Sequence, residues 1–176
     1  MTRAVALIRG VGGRTAMKMA ELEEVARGTG MTDVETLQVA GNVVFEVESV
    51  GVANAASLLR EAILEHFGHD LPVIIREHEE LVSAVERNPY LGTTEGRLIA
   101  TYFLEAPPTP ERILALDPNR SPGDEFVVDG VELFVRYADG QSKSKLLLPW
   151  FERGLDVIGT ARNANTVAKL VQMTHP

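Results

Sequence analysis

Ala4-Val5-Ala6-Leu7-Ile8-Arg9-Gly10-Val11-Gly12-Gly13-Arg14 is the stretch that decides the fold. The unbroken apolar run from Ala4 to Ile8 reads as a strand covered on both faces, and such a strand sits at the centre of a sheet. The glycines that follow read as a tight loop set between two arginines. Every later element must then pack around this strand.

Outward from it, Met19, Leu22, Val25 and Ala26 recur at helical spacing, and Gly28 and Gly30 stop that helix. Val34 to Val39 alternates as a half-buried strand, Ala40-Gly41-Asn42 turns, and Val43 to Val47 returns as a second strand. Ala55, Leu59, Ala62, Ile63 and Phe67 line one face of a further helix ending at Gly68, and Pro72 to Arg76 is a strand. The order β-α-β-β-α-β, with right-handed crossovers, predicts a four-stranded antiparallel sheet carrying both helices on one face, the ferredoxin-like arrangement. The strands near 5–9 and 43–47 are expected to be neighbours.

Residues 77–97 read as a connection holding a helix at about 78–87, ended by Asn88-Pro89. Residues 98–176 then read β-α-β-β-α: a strand from Leu98 to Leu104, a short helix after Pro107-Pro108-Thr109-Pro110, a hairpin turning at Asp129-Gly130, a helix from Lys145 to Arg153 and a last amphipathic helix through Val167, Leu170 and Val171. The expected architecture is therefore α+β with tandem ferredoxin-like halves, residues 1–76 regular and residues 98–176 less so.

Composition narrows the function. Hydrophobic residues are 45%, and no apolar run approaches the ~20 residues that span a bilayer, so no membrane is expected. Cysteine is absent, and a strand begins within three residues of Met1, so a cytoplasmic protein without disulfides is expected. A net charge of −8 and only 6% aromatic residues disfavour nucleic acid as partner without excluding it. The four lysines, Lys18, Lys143, Lys145 and Lys169, all lie in or beside the polar stretches considered next.

The glycine loop matches neither a phosphate-binding G-x-x-x-x-G-K-[ST] nor a dinucleotide G-x-G-x-x-G, since Thr15 stands where the third glycine belongs. It reads either as a plain tight turn or as backbone N–H groups flanked by Arg9 and Arg14 that suit an anion. The first two strands of the arrangement run parallel, so this loop and the Gly41-Asn42 turn share one rim. Ser142-Lys143-Ser144-Lys145 fits S-x-x-K, but its partner motifs S-D-N and K-T-G are missing. His66 and His69 straddle a helix end with Asp70 next and read either as solvated or, if the backbone turns suitably, as metal ligands, and no general base is evident. Thr160, Arg162, Asn163, Asn165 and Thr166 crowd the start of the last helix, either as caps or as a recognition surface.

The chain resembles the bacterial proteins grouped as domain of unknown function 1697. The likeness lies in Ala6-Leu7-Ile8-Arg9-Gly10 with Gly12-Gly13 and Lys18-Met19-Ala20-Glu21-Leu22, in Ala40-Gly41-Asn42-Val43-Val44-Phe45, in Ser144-Lys145-Leu146, and in Thr160 to Leu170. Three departures stand out: the first loop is shorter by an asparagine, Ala40 replaces a serine and Ala164 replaces a tryptophan. The resemblance implies the tandem α+β architecture and implies no activity.

Two readings of function remain. One is a binding protein for a small anionic or phosphate-bearing ligand, or a nucleic-acid segment, using Arg9, Gly12, Gly13, Arg14, Asn42, Lys145, Arg162, Asn163, Asn165 and Lys169. It expects Arg9, Asn42 and Arg162 to meet at a surface cleft, with Arg162 exposed. The other is a protein-interaction module, with a weak homodimer covering the sheet edges. No catalytic constellation is readable, and no metal or cofactor is expected.

Overall fold

The computed structural model describes residues 1–176, and the side chains of all but residues 49 and 50. Two compact units make up the chain, the first of Met1–Val82 with Leu170–Pro176, the second of Ser83–Lys169.

In the first unit the order is β1 (Thr2–Ile8), α1 (Met19–Gly28), β2 (Thr32–Leu37), β3 (Asn42–Val47), α2 (Ser49–Phe67) and β4 (Val73–Glu77), followed by α3 (His78–Arg87). The antiparallel sheet runs β2-β3-β1-β4. β1 is indeed central, pairing Val5 with Val44 on one side and with Arg76 on the other. Ala4, Ala6, Ile8, Val43, Phe45 and Val73 point to one face and pack on Leu22, Ala26, Leu59 and Ile63 of the two helices. Val5, Leu7, Val44 and Ile74 point the other way and are buried as well, which is why β1 shows no alternation. Gly68, at φ 73, closes α2, and its amide donates to the Leu64 carbonyl.

The second unit repeats this plan. β5 (Ile99–Leu104), α4 (Pro110–Leu114), β6 (Glu125–Asp129), β7 (Glu132–Arg136), α5 (Leu148–Leu155) and β8 (Gly159–Asn163) are followed by α6 (Ala164–Thr174). The sheet order is β6-β7-β5-β8, all antiparallel, so the halves share one topology. Here the sequence reading needs correction. It lacked β8, and the second half is as regular as the first. The segment Gly159-Thr160-Ala161-Arg162-Asn163 has no hydrophobic pattern of its own and is a strand because it pairs with β5, Arg162 opposite Thr101. α5 also starts later than expected: Pro149 sits in its first turn, where a missing N–H costs nothing. The core here is Tyr102, Leu133, Val135, Tyr137, Phe151 and Leu155, with Phe126 and Trp150 edge-on to Phe151. No described helix is long and apolar enough to cross a membrane.

Candidate functional site

The glycine loop leaves the first sheet pinned on both sides. Ile8 N–H donates to the Gly41 carbonyl at 2.8 Å and Arg9 N–H to the Pro72 carbonyl at 2.9 Å. Gly41 is left-handed at φ 73, and a Cβ there would stand 2.6 Å from Val11 Cγ2 and 3.1 Å from the Ile8 carbonyl oxygen. Only glycine lets the β2–β3 turn close so tightly on the loop. Loop and turn therefore share one rim.

Within the loop, the Thr15 hydroxyl reaches back to the Gly10 and Gly12 carbonyls, and Thr15 N–H donates to the Gly12 carbonyl at 3.0 Å. Gly12 at φ 139 and Gly13 at φ 56 make a bend that L side chains resist. Among the described residues, the amides of Gly12, Gly13 and Arg14 donate to no protein group, and Arg14 makes no ion pair. All three residues are exposed, while Arg9 is half-buried. Lys18 stands further on, 3.3 Å from Glu21.

Asn42 belongs to this rim but not as expected. It is wholly buried, and its Nδ2 donates to the Leu37 carbonyl at 2.9 Å. The side chain closes the turn and points inward, so it offers nothing to a ligand.

The remaining candidates lie in the second unit. Arg162 was expected to be exposed at a helix start. It lies instead in β8, only 9% exposed, giving Nη1 hydrogen bonds to Thr160 Oγ1 at 2.7 Å and to the Ala161 carbonyl at 2.8 Å. Burial pushes its guanidinium down to about 10, which still leaves it charged at neutral pH. Asn163 caps α6 by accepting from Thr166 N–H at 2.9 Å. Asn165 is set against Gly96, where a Cβ would stand 2.2 Å from its Oδ1. Lys145 and Lys169 are exposed.

The Ser144-Lys145-Leu146 stretch has a structural use. Ser144 Oγ accepts from Leu146 N–H at 2.9 Å, and the Lys145 amide donates to Ser121 Oγ at 3.1 Å. Ser121 Oγ donates in turn to Asp124 at 2.6 Å. Burial pushes the Asp124 carboxyl up, but hydrogen bonds from Ser121, Ser144 and the Ala138 amide, with Arg136 nearby, outweigh it and hold the group below the usual carboxylate range. Beneath it, the Tyr102 and Tyr137 hydroxyls meet at 2.6 Å, and the Leu146 carbonyl lies 3.4 Å from each. The S-x-x-K match is thus a loop anchor. Sequence reasoning missed its centre, Asp124, although the turn signal Ser121-Pro122-Gly123-Asp124 is visible.

Among the described residues no three His, Asp or Glu side chains gather as for a metal ion. Asp70 is held by Arg60 at 2.6 Å and His66 lies 3.7 Å from Glu21, so the stretch around His69 is a surface one. A shallow concavity of about 460 Å³ between α1 and α2, lined by Val25, Gly28, Thr29, Ala62, Glu65 and His66, shares no residue with the glycine loop.

Comparison with known proteins bears on the family and the fold. The family model described as "Protein of unknown function (DUF1697)" matches residues 1–134, and the chain belongs to that family. Its structure is similar to that of the conserved bacterial protein SP0830 from Streptococcus pneumoniae, with a TM-score of 0.74 at 21% identity over 99% of this chain and 98% of that one. At that identity the likeness concerns the fold. No curated protein matches the chain.

Proposed function

We propose that this member of the DUF1697 family binds a small anionic, phosphate-bearing ligand at the Arg9–Arg14 loop. One observation carries the reading: three successive amides, those of the exposed residues Gly12, Gly13 and Arg14, have no protein acceptor among the described residues, in a loop held by Thr15 and Gly41. Successive N–H groups in a glycine bend form a concavity for an anion, and such a bend held rigid in advance has less conformational entropy to lose on binding. Arg14 and the half-buried Arg9 add local positive charge to a chain whose net charge is −8. The reading rests on the first unit alone, because Asn42 and Arg162 are buried and Asn163 and Asn165 have structural uses.

Thermal shift with inorganic phosphate, pyrophosphate and nucleoside mono- and diphosphates tests it. At least one should raise the melting temperature of the wild type, and Arg14→Ala should keep the unliganded melting temperature while losing at least half of the increase. No increase with any of them, or one unchanged by Arg14→Ala, overturns the reading. A second reading, a homodimer, is favoured by Leu114 and Leu147, apolar side chains 85% and 45% exposed on the second unit. It predicts a dimer mass by light scattering that falls to the monomer mass in Leu114→Glu/Leu147→Glu.

A further inference from the structure

His78 begins α3, directly after β4, and His175 follows the last residue of α6. Both belong to the first unit, and their ring centres lie 5.3 Å apart with the planes at 74°. Nothing in the sequence announces the pair.

The surrounding oxygens fix which nitrogen of each ring carries the proton. The Thr174 hydroxyl has one proton, and Oγ1 gives it to the Leu170 carbonyl at 2.8 Å. It can therefore only accept from His78, whose Nδ1 lies 3.1 Å away. His175 Nδ1 lies 3.0 Å from the main-chain oxygen of Pro176, an atom that can only accept. In the neutral state both rings thus hold their proton on Nδ1 and keep a lone pair on Nε2. Among the described residues neither Nε2 has a hydrogen-bond partner.

A histidine whose Nδ1–H is tied to an oxygen while Nε2 stays open is the arrangement found in metal sites, where the second bond sets the tautomer and aims the ring. The spacing agrees. With metal–nitrogen bonds of about 2.0–2.1 Å, two imidazole centres on one ion lie roughly 4.5–5.2 Å apart. The observed 5.3 Å lies at the upper edge of that range. His175 is exposed and His78 half-buried, so an ion can arrive from solvent and keep water at its other positions.

We propose that His78 and His175 form a two-imidazole site for a divalent transition-metal ion, Cu²⁺, Ni²⁺ or Zn²⁺, completed by water. Imidazole suits these ions, and Cu²⁺ binds most tightly of the three. The ion joins the chain just after α6 to the start of α3. This proposal is independent of anion binding at the glycine loop.

The test titrates Ni²⁺ alone into the untagged protein by calorimetry at neutral pH. One Ni²⁺ per chain is expected, with affinity lowered at least tenfold in His175→Ala and in His78→Asn, and unchanged in His69→Ala. His175 is exposed, so its replacement leaves the fold intact; circular dichroism of both variants verifies that. No binding at millimolar Ni²⁺, binding that survives either substitution, or binding lost in His69→Ala overturns the proposal.

Discussion

Arg76 and Arg162 hold the same station in two successive repeats. Each is the fourth residue of the fourth strand of its unit, paired with the central strand, Arg76 with Val5 and Arg162 with Thr101. Each is buried, and each gives an Nη1 hydrogen bond to the carbonyl of the residue before it, at 3.0 and 2.8 Å. The sequence hides this equivalence, because Val73-Ile74-Ile75 and Gly159-Thr160-Ala161 share no residue. The arginine is what the two strands have in common.

These arginines are structural, and Arg162→Ala is expected to destabilise the protein by about 2 kcal/mol, through lost packing of the stem and broken buried hydrogen bonds. Arg76→Ala should behave alike. Urea unfolding followed by circular dichroism measures both. A change below about 0.5 kcal/mol, the range of ordinary surface substitutions, would contradict the assignment.

Gly41→Ala should cost at least about 2 kcal/mol, because it forces an L residue into the left-handed region and drives its Cβ into Val11 and the Ile8 carbonyl. Gly28→Ala serves as control: a Cβ there meets nothing within 4 Å, at a helical position, and should stabilise by about 0.4–1 kcal/mol. Thermal melts of the two variants should move in opposite directions.

At high pH the buried tyrosine pair sets the limit. Burial raises the Tyr137 hydroxyl far above its ordinary 10.0, helped by Tyr102, and raises Tyr102 too. A raised folded-state value means the contribution is fully present below pH 10 and is lost as pH climbs past it, because the unfolded chain then ionises first. Absorbance at 295 nm should show Tyr102 and Tyr137 ionising only together with unfolding. Asp124 works in the opposite direction. Its lowered value gives stability that is present above the ordinary 3.8 and is lost as pH falls through the folded value, so Asp124→Asn should flatten the acid limb of the stability curve.

How much was legible follows from where the physics is local. β1 could be read because burial on both faces leaves an uninterrupted apolar run, and α3 because Leu81, Val82 and Val85 keep helical spacing up to Asn88-Pro89. β8 could not, since its strand character comes from β5 and not from its own residues. At the candidate site, the meeting of loop and turn followed from topology, but the fate of each polar side chain did not. Asn42 and Arg162 look alike in sequence to a pair of ligand donors, and only the packed structure shows that Leu37, Thr160 and Ala161 take their hydrogen bonds.

The membership of Leu170–Pro176 in the first unit bears on the order of events during synthesis. Domains commonly fold as they leave the ribosome, N-terminal part first. Here Met1–Val82 can lay down its sheet early, but Arg3 Nε must wait for the Met173 carbonyl, 2.7 Å away in the finished protein. All of Ser83–Lys169 is translated in between, a delay on the order of ten seconds at ordinary translation rates. A chain stalled in that interval carries a first unit with a vacant berth, so the half made first is the half completed last.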